Sequence, residues 1–340
     1  MARFVSDQNK VLGVYESGTY GAIKDSGSTF WIGQVTEHSI DDSENLLENR
    51  YLGTSDRNFD YMAQGPRDVT GTLTYHVQDM RLVAWAIGSV NEVVGTGSSV
   101  HFATEIDTDV WQSPFTSGTG QLNAPISFTI EDSKQSPGTG RNFIRTINGA
   151  VPNVTTITAS RGEKVHVNID YIGQTLTYSS GATSSVTEQT GIRPYLWSDC
   201  SLTIGGSSID TAKEVSLEIN QNIEAPHYLN GSRDVSVPYP QNREYTLNVT
   251  MDLDGTEAAM LYNEYYKGGS KFNAVFDLNA DSTTGSQHTI FTMSGCYVTS
   301  MDNPSTNEGI VESTVVIRPE SLTGSIWDCG SAYNPFWDYI

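Results

Sequence analysis

RDVTGTLTYHVQDMRLVAWAIGS, residues 67–89, and REYTLNVTMDLDGTEAAMLYNEYYKGGS, residues 243–270, share one plan. Each begins with strict alternation, turns at an acidic corner and continues with helix-like spacing. In the first, Val69, Gly71, Leu73 and Tyr75 point one way and Thr70, Thr72 and Thr74 the other. In the second, Tyr245, Leu247, Val249 and Met251 oppose Thr246, Asn248 and Thr250. A period of two marks a half-buried strand. One face of each strand therefore packs a core, and the other meets water or a neighbouring subunit. Thr70–Tyr75 matches Thr246–Met251 at an offset of 176 residues.

The corner DLDG invites a calcium reading. An EF-hand loop needs oxygen ligands at its first, third and fifth positions, Gly at the sixth and Glu at the twelfth. Here Gly255 follows Asp254 at once, and the twelfth position is Asn263. The spacing excludes that loop. Asp254 is read instead as the cap of a helix over 257–266, with Glu257 at its positive end. Asp79 plays the same part before a helix over 80–87.

Working outward, the order of elements recurs. VTEHSI at 35–40 is answered by EVSLEIN at 214–220. Tyr51-Leu52 and Tyr228-Leu229 fall in two long polar stretches, 41–66 and 221–242. SVHFATEID at 99–107 is answered by SKFNAVFDL at 270–278, and PISFTIED at 125–132 by HTIFTMSG at 288–295. SRGEKVHVNIDYIGQTL at 160–176 is answered by NEGIVESTVVIRPESL at 307–322. The reading is one domain written twice: an arm 1–30, a first module 31–178, a linker 179–199, a second module 200–325 and an aromatic tail 326–340.

Composition supports a β-rich, turn-rich chain: 31 Gly in 340 residues, 10% aromatic and 37% hydrophobic. With 40 acidic against 19 basic residues the formal charge is −21, which repels phosphates and argues against tight binding of nucleic acid or anionic membrane. The same balance resembles proteins of salt-loving organisms. No apolar run approaches a membrane span, and the start MARFVSDQNKVLGVYESG lacks the apolar core of a signal peptide, so the expectation is a soluble protein made in a cytoplasm. Cys200, Cys296 and Cys329 are far apart and are expected as free, buried thiols. The six His show no HxH or HExxH spacing, and neither a GxSxG elbow nor a P-loop occurs. No catalytic residue, metal or cofactor is expected. Trp85 is expected in the core.

The order of strand, long loop, strand, acidic corner, helix, meander and Gly-turn strand resembles the tail tube protein family of long-tailed viruses of bacteria and archaea. YESGTYG at 15–21, TFWIGQVTEHSID at 29–41 and GCYVTSMDNPSTNEGIVESTVVIRPESLTG at 295–324 carry the resemblance. It implies a mainly β fold of two tandem tail-tube-like β-sandwich modules, each with one packed α-helix, that closes into a barrel on oligomerisation. Tube proteins of this family form six-module rings that stack around a channel for the genome. Two modules per chain imply a pseudo-sixfold trimer, with other tail proteins at the tube ends, viral DNA sliding through without tight binding, and location in the virion after assembly in the host cytoplasm. Thr70, Thr72, Thr74, Asp170, Glu218, Thr246, Asn248 and Thr250 are assigned to the bore. Glu48, Tyr51, Asp56, Tyr228, Asp234 and Tyr239, in the two polar stretches, are assigned to contacts between rings. A tandem carbohydrate-binding adhesin is the alternative, since exposed aromatic residues on a sandwich can stack on sugars.

Overall fold

The structure, a computed structural model, describes residues 9–16, 20–23, 29–49, 61–78, 80, 82–83, 86, 91–93, 100–104, 127–136, 142–181, 184, 186, 193–252, 255–280, 287–302 and 312–328. Within them the chain forms β1 (Lys10–Tyr15), β2 (Thr29–Phe30), β3 (Gln34–Asn49), β4 (Tyr61–His76), β5 (Asn91–Val93), β6 (Val100–Thr104), β7 (Phe128–Gln135), β8 (Asn142–Ser160), β9 (His166–Gly173), β10 (Thr175–Ser179), β11 (Cys200–Ile204), β12 (Ser207–Ser208), β13 (Ala212–Asn220), β14 (Ile223–Glu224), β15 (Tyr239–Pro240), β16 (Glu244–Asp252), β17 (Phe272–Asn279), β18 (His288–Asp302), β19 (Glu312–Arg318) and β20 (Ser321–Asp328). The fold is mainly β. Helix α1 (Gly255–Ala259) continues as a π-helix, Met260–Tyr266, closed where Lys267 N–H donates to Tyr262 O. Leu261 and Tyr265 are its buried residues. In the first half Leu82, Val83 and Ala86 are helical and buried.

Eight strands form one antiparallel inner sheet in the order β3-β4-β9-β8-β13-β16-β19-β18. Alternation holds in β16 and in the C-terminal half of β4: Val69, Leu73 and Tyr75, and Tyr245, Leu247, Val249 and Met251, are buried on one face. Against that face lie two outer sheets, β2-β1-β7-β8-β10 and β12-β11-β17-β18-β20-β6-β5. β8 and β18 belong to both layers. β8 leaves β7 at Ala150 and meets β9 from Val151; β18 leaves β17 at Cys296 and meets β19 from Tyr297. The core between the layers is continuous, from Phe30 through Leu247 to Phe291 and Leu322.

The two halves of the inner sheet, β3-β4-β9-β8 and β13-β16-β19-β18, have the same strand order and share bulges, although the β3–β4 ladder has a further one between Glu44 and Leu46 without a counterpart. A bulge lies between Val35 and Glu37 and again between Ala212 and Glu214. Another lies between Pro152 and Val154 and again between Val298 and Ser300. A third lies between Phe128 and Ile130 and again between Phe272 and Ala274. Each bulge interrupts a ladder and switches which residues face the core.

The registers correct several sequence matches. β7 holds the place of β17, and β8 that of β18, so PISFTIED answers SKFNAVFDL rather than HTIFTMSG. SVHFATEID does not answer SKFNAVFDL: its strand β6 instead lies between β20 and β5 in the second outer sheet. Alternation identifies a strand but carries no label saying which strand it is. Part of the segment expected as an arm is built into the first outer sheet as β1 and β2. The stretch 41–66, read as a loop, is largely a β3–β4 hairpin. Asp79, Asp254, Trp85 and Cys329 lie outside the described residues, whereas Cys296 is buried and Cys200 half-buried, both free thiols.

Candidate functional site

The polar face of the inner sheet gathers the residues assigned to a bore. Thr70, Thr72 and Thr74 on β4, Asp170 on β9, Glu218 on β13, and Thr246, Asn248 and Thr250 on β16 all alternate with buried neighbours. The ladders align them across the two halves. Glu37, Thr74, Asn168, Thr156, Glu218 and Thr246 stand side by side in one row. Ser39, Thr72, Asp170, Val154, Asn220 and Glu244 form the next. Thr72 Oγ1 donates to Asp170 Oδ1 at 2.7 Å. Asp252 and Glu312 on the same face share Lys213, whose Nζ is 2.6 Å from Asp252 Oδ1. Carboxylates outnumber cations on this face, so it presents a negative wall of hydroxyls and acids.

Two edges of this sheet have no partner strand among the described residues: the outer edge of β3 and the outer edge of the C-terminal half of β18. Every residue of β3 from Asp41 to Glu48 is exposed, and Leu46, Leu47, Tyr61 and Met62 are exposed at the far end of its hairpin. Long open edges with exposed apolar residues seek pairing.

Of the residues assigned to contacts between rings, Glu48 is exposed on β3, while Tyr51 and Asp56 lie outside the described residues. Tyr228 and Tyr239 are exposed in the stretch 221–242, and Asp234 is partly covered. That stretch folds back onto the β3–β4 hairpin. Arg67 N–H donates to Arg233 O at 2.9 Å, Arg233 Nε donates to Gly65 O at 2.9 Å, and His227 Nε2 lies 2.9 Å from Asp68 Oδ1.

Two polar clusters that sequence reading missed tie the layers together. His38 takes the core-facing position opposite Leu73. Its Nε2 is 2.8 Å from the Tyr171 hydroxyl and its Nδ1 is 3.9 Å from Asp132, which Arg145 also pairs. Burial pushes the His38 pKa down to about 4, with Arg145 and Lys134 adding to the fall and Asp132 opposing it. Glu16 is buried and accepts from Gly21 N at 2.9 Å, Thr129 Oγ1 at 2.8 Å, Ser127 Oγ at 2.5 Å and Gly149 N at 2.7 Å. Partners so far apart in sequence leave no local pattern. Among the described residues no group of three His, Cys, Asp or Glu could hold a metal ion.

A family model described as "Phage tail tube protein" matches residues 91–325, more than half of the chain. The chain belongs to the phage tail tube protein family. No curated protein matches it. A phage tail tube protein is a structural component of the virion tail, and the mainly β fold agrees with that family. Among the described residues no helix is long and apolar enough to cross a membrane.

Proposed function

We propose that this tail tube protein is a double module, that three copies close into a pseudo-sixfold ring, and that stacked rings form the tube through which the viral genome passes. The observation that carries the reading is the junction between β8 and β13, where Thr156 opposes Glu218, Thr155 opposes Ile219 and Val154 opposes Asn220. The repeated bulges make β18 the counterpart of β8, and β3 the counterpart of β13. The junction inside the chain is thus a template for one between chains, with Ser300, Met301 and Asp302 of one copy opposite Ser43, Asp42 and Asp41 of the next. Such pairing leaves no free edge.

Strand spacing favours three copies. At roughly 4.8 Å per strand, a wall of three eight-stranded sheets has a backbone diameter of about 37 Å, against about 24 Å for two sheets and 12 Å for one. Only the widest leaves room for a duplex between side chains. An acidic bore repels the DNA backbone, so the genome slides without a series of salt bridges to break.

Ser43→Cys and Ser300→Cys introduced together, with oxidation, test the reading. Covalently linked species up to trimer on a non-reducing gel, and ring images in electron microscopy, are expected. Monomers at every salt concentration, or rings of six chains, would overturn it.

A further inference from the structure

We propose that the aromatic C-terminal segment of one copy clasps the next copy on its Phe143–Tyr178 pair, as segment 193–199 clasps the two halves within one chain. The inference rests on the ring reading and names a contact that sheet pairing does not supply.

The intrachain clasp is formed by residues 193–199. Tyr195 N–H donates to Val77 O at 3.0 Å and Tyr195 O accepts from Val165 N at 2.9 Å, so this residue caps the ends of β4 and β9. Trp197 N–H then donates to Glu163 O at 3.1 Å. The Tyr195 ring is buried, and its hydroxyl is 3.2 Å from Thr289 Oγ1 on β18, in the other half. Gln287 Nε2 donates to Arg193 O at 2.9 Å, and Arg193 reaches Ala280 O at 3.3 Å. One short segment thereby binds both halves.

β20 leaves the second half as β10 leaves the first. Leu176 opposes Ile147, and Leu322 opposes Met293. Thr177 Oγ1 donates to Thr146 O, and Thr323 Oγ1 to Thr292 O, both at 3.4 Å. The residues that follow also correspond. Pro194, Tyr195, Trp197 and Asp199 recur in order, with closer spacing, as Pro335, Phe336, Trp337 and Asp338.

The receiving surface follows from the same register. Thr289, fully covered beside Tyr195, corresponds to Phe143 on β8. Phe143 is half-buried and packs on Tyr178 with ring centroids 4.9 Å apart, and the Arg145 guanidinium lies 5.9 Å from the Phe143 centroid. Tyr178 is 61% exposed. An aromatic pair beside a cation is a fitting platform for Phe336 and Trp337. In the ring order the second half of one copy adjoins the first half of the next, so the segment leaving β20 meets the next copy's Phe143, as the segment leaving β10 meets Thr289.

The test is the full chain carrying Tyr178→Cys and Trp337→Cys, oxidised and run without reductant, with each single variant as control. Linked species up to trimer, at least tenfold above either control, are expected. Cross-linking confined within single chains would overturn the clasp by placing the tail on its own chain, and so would free thiols at both positions. Rings seen by electron microscopy without the cross-link would sink the clasp and leave the ring reading standing. Absence of rings from the unmodified protein would sink the ring reading itself.

Discussion

Gly149 and Gly295 hold the same place in the two halves of the chain. Both adopt left-handed backbone, with φ of +68° and +63°, and each lies one residue before its strand's last pair in the outer sheet. A Cβ on Gly149 would stand 2.8 Å from Gln174 Cβ, and one on Gly295 would stand 3.0 Å from Glu320 Cβ. Gln174 and Glu320 in turn donate their N–H groups to Asn148 O and Ser294 O, at 2.8 and 3.1 Å. Glycine is required at both sites by the same backbone and the same neighbour.

Gly149→Ala and Gly295→Ala are each expected to destabilise the fold. Left-handed φ in a residue with a Cβ costs about 1 kcal/mol, and crowding against backbone-anchored Cβ atoms raises the total to roughly 2–3 kcal/mol. Denaturant titration of the two variants checks it. A midpoint unchanged in either would mean the bend tolerates a Cβ.

Gly149 N–H also donates to Glu16, and that bond marks where the halves differ. Glu16→Ala would leave the buried Gly149 N–H, Ser127 and Thr129 without this acceptor, at a cost of roughly 3 kcal/mol. Glu16→Gln, which keeps one carbonyl oxygen, is expected to fall between Ala and the natural residue. Thermal unfolding of the three proteins gives the order, and equal midpoints would show that the carboxylate does not anchor β1.

Stability is expected to fall on acidification before most carboxylates titrate. His38 is neutral in its buried site, with a pKa near 4, whereas the unfolded chain takes up the proton near 6.5. The unfolded state therefore binds more protons between these values. Stability is full above about pH 6.5 and is lost as the pH falls toward 4, by on the order of 3 kcal/mol. His38→Gln, able to keep a hydrogen bond to Tyr171, is expected to flatten that part of the curve. An identical pH dependence in the variant would remove His38 as its cause.

How much of this was legible in sequence depended on whether a feature is periodic. The strands at 67–76 and 243–252 were read in register because Leu73 and Val249 alternate with Thr72, Thr74, Asn248 and Thr250, and the polar face followed from the same alternation. The family was legible in the order of elements. The bulges at Thr36 and Lys213 were not, because a single inserted residue looks like noise in a period of two. Nor was the crossing of β8 and β18 between layers, since each reads as one long strand. His38, Asp132 and Arg145 come together only once β3, β7 and β8 are stacked, and no local spacing announces that.

Assembly is expected to strengthen with salt. Asp170, Glu218, Glu244 and Glu37 stand in adjoining rows of one face, and in a closed ring of about 37 Å they would confront like charges across the bore and along the wall. The Debye length is about 30 Å at 0.01 M salt and 3 Å at 1 M, so repulsion acts across the bore only in dilute salt. The protein concentration needed for rings is therefore expected to fall severalfold between these conditions, as read by light scattering. Asp170→Asn with Glu218→Gln should shift assembly to lower salt, while the isolated chain keeps its fold because both side chains point away from the core. Rings that dissolve as salt rises would mean instead that ion pairs between copies hold the ring, and would move attention from the bore to the edges of β3 and β18.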